Sequence, residues 1–109
     1  MATTQERIEQ LKQMQRRPST PGDLLADLLD CNAITQGEAA RRLGIRRQTV
    51  NDLIRGKRAL TPDMAYRLGR LFGGGPELWL NMQQQVDLWD ALHLDASAYE
   101  FIEPVQNAA

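Results

Sequence analysis

The stretch Thr35 to Arg58, TQGEAARRLGIRRQTVNDLIRGKR, constrains this chain more than any other. Its apolar residues fall in two short sets at helical spacing, with a glycine between them. Thr35 is a good N-cap, and Glu38 three residues on gives the pattern of a capping box. Ala39, Ala40 and Leu43 supply a small inner face. Gly44 suits the left-handed turn that ends a helix, and Ile45 plugs the junction. A second helix is expected from about Arg46 to Arg55, with Val50, Leu53 and Ile54 inward. Gly56 ends it.

The outward face of that second helix carries the functional signal. Arg46, Arg47, Gln48, Thr49, Asn51 and Asp52 are all polar. Arg, Gln and Asn are the side chains that hydrogen-bond base edges in pairs. Residues 35–58 hold seven basic and two acidic residues, a local charge of +5 in a chain whose total is −1. Two short helices around a tight turn, the second basic and polar outward, read as a helix-turn-helix. Such a unit places its second helix in the major groove, N-terminal end first.

The near-neutral total hides a polarity along the chain. All thirteen basic residues lie at or before Arg70, where eight acids leave a net +5. From Leu71 onward there are six acids and no base. Polyanionic DNA fits the basic part. For the acidic part, a basic protein partner and a solvated tail remain open. At 109 residues the chain reads as one domain with loose ends. No apolar run is long enough to cross a bilayer, and Met1 to Gln15 lacks the apolar core of a secretory signal. Cys31 is the single cysteine, so no internal disulfide forms and a reducing cytoplasm is the expected compartment.

Taken in order, residues 1–17 read either as a short helix, with Thr3-x-x-Glu6 at its start, or as an N-terminal arm. Thr20 and Pro21 open the first core helix, along which Leu24, Leu25, Leu28 and Leu29 recur to about Asn32. After the two-helix unit, Thr61 and Pro62 open a helix to Phe72. Gly73-Gly74-Gly75 breaks it, and Pro76 starts a fifth that runs to about Ala91. Trp79, Met82, Val86 and Trp89 recur on that helix at three- and four-residue steps. They are candidates for a dimer interface, or for packing on the core. The tail, 92–109, loses helical order at Pro104, and Tyr99 to Val105 suits a short strand or an interaction segment.

Enzyme chemistry has little to stand on. His93 has no acid, Cys or second His at ligand spacing, so neither a metal nor a catalytic pair is expected. The glycines at 73–75 lack the lysine and the preceding strand of a phosphate loop. No cofactor is expected.

The residues 35–58 resemble the helix-turn-helix of the lambda-type repressors and Cro, the XRE family. Four flanking segments sharpen the likeness: PGDLL at 21–25, LTPDMAYRLGRLF at 60–72, PELWLNMQ at 76–83 and VDLWDA at 86–91. Together these resemble the HigA-type, or VapI-like, antitoxins over residues 18–91. The resemblance implies an all-α fold, a five-helix lambda-repressor-like DNA-binding domain over 18–91. A short N-terminal helix or arm at 1–17 and an acidic tail at 92–109 inherit nothing from it. It also implies a homodimer on a palindromic operator, and a small toxin partner of the mRNA-cleaving HigB/RelE type.

Residue roles follow the matched positions. The resemblance places Arg46, Arg47 and Gln48 at the base-reading end, with Asn51 and Asp52 one turn on. Arg47 suits guanine and Gln48 adenine. Asp52 either accepts from a cytosine amine or orients an arginine. Gln36, Thr49, Arg55, Lys57 and Arg58 fall to the phosphate backbone. Arg46 stands where many relatives cap the second helix with serine or threonine, so cap and contact compete there. Arg41 and Arg42, late on the supporting helix, read as solvated. Two other readings stay open: a stand-alone repressor without a toxin, and a protein-interaction module with vestigial DNA binding.

Overall fold

A computed structural model describes residues 3–94 and 96–105. What the sequence suggests for Met1, Ala2, Asp95 and residues 106–109 lies outside the described residues. Six α-helices follow in order: α1 Thr4–Gln13, α2 Pro21–Cys31, α3 Gln36–Leu43, α4 Arg47–Ile54, α5 Pro62–Phe72 and α6 Glu77–Leu94. A 3₁₀ turn spans Ala96–Phe101. The described residues contain no strand, so the short strand expected at Tyr99 to Val105 is not formed. The residues fall into two compact units, one covering 18–86 and the other joining the two ends, up to Arg17 and from Asp87 on.

Threonine caps start most of the helices. Thr20 accepts from Asp23 N at 3.1 Å, and Asp23 returns the bond to Thr20 N at 3.0 Å, a complete capping box ahead of Pro21. Thr61 accepts from Met64 N at 3.2 Å. Thr35 accepts from Glu38 N at 3.1 Å, but Glu38 does not return the bond. Its carboxylate is held instead by Arg41 and Arg42, at 3.1 and 3.0 Å to their Nε atoms. The expected box is therefore half made, because a double arginine pair wins the carboxylate.

The core of the 18–86 unit is built from every one of its helices. Leu25 and Leu29 of α2, Ala39, Ala40 and Leu43 of α3, and Val50 and Leu53 of α4 are buried. So are Leu60, Met64, Ala65 and Leu68 around α5, and Trp79 of α6. Burying one such side chain is worth about 1.5–3 kcal/mol. Trp79 is 2% exposed, with its ring centroid 6.2 Å from that of Phe72. Val86 is also 2% exposed. Both are corrections to the dimer candidates: the chain itself seals them, so neither offers a surface to a second copy. Leu78, one residue before Trp79, is the side chain left out at 56%. A helix turns about 100° per residue, so turning Trp79 inward carries Leu78 toward solvent.

In the other unit α1 is held against the last turns of α6. Trp89 Nε1 donates to Met14 O at 3.0 Å. Arg17 clamps Asp90 with two bonds, 2.8 and 2.7 Å. That clamp, hydrogen bonding first, holds the Asp90 carboxyl below the usual range. His93 stacks on Trp89 with centroids 4.1 Å apart and reaches Lys12 O at 3.1 Å. Residues 4–13 are thus a docked helix, and the expected dimer candidate Trp89 is already engaged. Replacing Trp89 by Phe removes the bond to Met14 while keeping a ring. The expected result is faster amide exchange across α1 by hydrogen-exchange mass spectrometry, with the 18–86 unit unchanged.

Candidate nucleic-acid interface

The turn between α3 and α4 is set by backbone chemistry. Gly44 ends α3 at φ +72°, where an L side chain is strained. Ile45 N then reaches back to Ala40 O at 3.0 Å. The same device closes α4. Gly56 sits at φ +72°, Gly56 N bonds Leu53 O at 3.2 Å, and Lys57 N bonds Asp52 O at 2.8 Å. This pair of bonds is a Schellman motif, which reverses the chain and presents Lys57 and Arg58 directly after the helix. Arg67 of α5 adds a brace by donating to Leu43 O at 2.7 Å, satisfying a carbonyl at the end of α3.

On this frame Gln36, Arg47, Gln48 and Asn51 line one hollow of about 340 Å³. Their side chains are pre-set. Asn51 Nδ2 donates to Gln36 Oε1 at 3.2 Å. That bond occupies the acceptor end of Gln36 and leaves its amide N–H groups for an anion. Gln48 Nε2 donates to Asp52 Oδ1 at 2.8 Å. One Nε2 hydrogen and the amide oxygen of Gln48 remain, which is the donor and acceptor set that pairs with adenine. Asp52 orients the glutamine, not an arginine.

The charges divide cleanly. Glu38 neutralises Arg41 and Arg42, and its carboxyl is pulled from the ordinary 4.5 down to about 2, chiefly by the hydrogen bond from Arg41 and then that from Arg42. This carboxylate supports the fold fully above pH 4.5, and its contribution is lost as the pH falls through about 2. In an NMR titration Glu38 is expected to titrate near 2, and Arg41→Ala plus Arg42→Ala should return it toward 4.5. Arg46, Arg47, Arg55, Lys57 and Arg58 are exposed, and none makes an ion pair among the described residues. Five unneutralised cations around one short helix form the electrostatic footprint of a phosphate-binding face. Arg46 is the N-cap of α4 and makes no side-chain cap bond. The first turn of α4 is thereby open to an acceptor from outside, such as a phosphate oxygen.

Known proteins are similar to this chain in sequence and fold. The helix-turn-helix family HTH_3 matches residues 25–80. Antitoxin HigA-1 of Vibrio cholerae is 35% identical over 96 residues, 87% of this chain and 90% of its own. The chain belongs to the HigA group of helix-turn-helix proteins. YbaQ of Escherichia coli K12, an uncharacterized HTH-type transcriptional regulator, is 42% identical over 81 residues, 73% of this chain and 72% of its own. The antitoxin HigA of Pseudomonas aeruginosa, solved with the higBA promoter, superposes with a TM-score of 0.76 at 36% identity, over 83% of this chain and 100% of that one. The family consists of DNA-binding regulators and antitoxins, not enzymes.

Within this helix-turn-helix group the candidate residues divide by place. Gln36, Arg47, Gln48 and Asn51 share the hollow, and Asp52 stands behind Gln48. Thr49 is half-buried on α4. Arg55, Lys57 and Arg58 follow at the helix end. Two supporting residues escape sequence reading. Arg67 braces α3, and Gln83 of α6 accepts from Leu60 N at 2.9 Å, anchoring the link that follows α4. Their only sequence signal is a polar residue on an otherwise apolar helix flank.

Proposed function

We propose that this chain is a cytoplasmic, homodimeric antitoxin that binds its own operator, represses its operon and neutralises an mRNA-cleaving toxin of the HigB/RelE type. The observation that carries the DNA half is the pre-set hollow of Gln36, Arg47, Gln48 and Asn51, on a helix flanked in sequence by unpaired cations. Arg47 and Gln48 read bases, with Arg46, Asn51 and Asp52 contributing at the same end. Gln36, Thr49, Arg55, Lys57 and Arg58 hold phosphates and set register. No helix among the described residues is long and apolar enough to cross a membrane.

Dimerisation brings two α4 helices onto successive major grooves, about 34–36 Å apart. Leu78 and the half-buried Met82 lie four residues apart on one face of α6 and are the apolar contact proposed for it. The toxin half is supported by the likeness to HigA-1 and to the promoter-bound HigA. A stand-alone repressor is the second reading, supported by the likeness to YbaQ.

Footprinting on the DNA upstream of the gene tests the repressor part. Two protected half-sites one helical turn apart are expected. Protection without a repeated half-site would remove the homodimer. Failure to co-purify with the product of any adjacent gene would favour the stand-alone reading.

A further inference from the structure

Beyond α6 the chain carries a surface that DNA reading leaves unused. Phe101 is 85% exposed, Ile102 70% and Val105 97%, with Leu94 and Tyr99 also in solvent. The 3₁₀ turn closes with Ile102 N on Tyr99 O at 3.1 Å. Exposed apolar side chains concentrated in one segment point to an interaction site. Glu100 and Glu103 are interleaved with it, and neither has an ion pair or hydrogen bond among the described residues. No lysine or arginine occurs anywhere after Arg70.

We infer that the described tail residues 97–105 are the docking segment for a basic protein partner. Tyr99, Phe101, Ile102 and Val105 enter an apolar groove, and Glu100 and Glu103 pair with its cationic rim. The identity of the partner rests on the antitoxin reading: a toxin that cuts RNA must hold a polyanion and so presents a cationic surface. Charge disfavours the other occupants. DNA and anionic lipid repel the segment, and the matching region of a second copy is equally acidic. The segment shares no residue with α4, so toxin and operator would be held through different residues.

The test is a titration of the purified chain with the purified product of the basic reading frame beside its gene. The intact chain is expected to form a complex. Phe101→Ser plus Ile102→Ser should weaken it roughly 30-fold or more. Glu100→Lys plus Glu103→Lys should weaken it too and flatten its salt dependence. Operator affinity should stay unchanged in both variants, which also reports that they are folded. If both variants bind toxin as tightly as the intact chain, the segment is not the docking site and the inference falls. If they alter only the sedimentation mass, the occupant is a second copy and the inference falls likewise. If the intact chain binds no toxin at all, the antitoxin reading fails first and takes this partner with it, while operator binding stands.

Discussion

Alanine at position 22 is expected to destabilise the chain by about 3 kcal/mol, at the upper end of what overpacking costs. A Cβ there would stand 2.0 Å from Leu53 O, 2.9 Å from Leu53 C and 3.0 Å from Ile54 Cα. All three are backbone atoms of α4, so no rotamer change relieves the contact. Gly22 is buried in the first turn of α2, and Leu53 is buried on the inner side of α4. The two helices must therefore move apart, and the recognition helix moves with them. For a chain of this size about 4–8 °C is lost per kcal/mol, so a melting-point fall of roughly 12–24 °C is expected by circular dichroism. Operator affinity should fall as well, below the melting range. An unchanged melting point would show that α2 and α4 do not cross this closely.

The second large effect is on binding. Arg47→Ala plus Gln48→Ala should reduce operator affinity by on the order of 100-fold or more, since each good bidentate base contact is worth about 1–3 kcal/mol. Both side chains are exposed or line the hollow, so the melting point should hold. Arg55→Ala provides the contrast. It should weaken operator and unrelated DNA alike and reduce the salt slope by about one. Base-reading and phosphate-holding residues are thus separated by whether specificity or overall affinity is lost.

Helix identity was legible in the sequence because it depends on near neighbours. Thr20, Thr35 and Thr61 announce helix starts, and Gly44 and Gly56 their ends, and the structure places caps and left-handed glycines there. Inner faces followed from periodicity, as with Val50 and Leu53. Features that depend on distant partners were hidden. Nothing around Gly22 reveals that α4 crosses it at the distance of a carbonyl oxygen. The apolar stripe of α6 could not say which of its members face inward, and Trp79 and Val86 proved sealed while Leu78 did not. The Thr35-x-x-Glu38 pattern could not show that Arg41 and Arg42 would outcompete the cap for Glu38. In the hollow, side-chain types were readable, but the Gln36–Asn51 and Gln48–Asp52 bonds that aim them were not. Those bonds need the angle between α3 and α4, which no local pattern encodes.

Sequence reading by α4 is what sets the function proposed for this chain. The most direct measurement is equilibrium binding, by fluorescence anisotropy, of the chain to the duplex upstream of its own gene and to a scrambled duplex of the same composition. The titrations are repeated between about 50 and 200 mM salt. The expected result is a steep loss of affinity with salt on both duplexes, and a preference for the native sequence of at least about 10³-fold that disappears with Arg47→Ala plus Gln48→Ala. Equal affinity of the intact chain for the two duplexes would contradict the account.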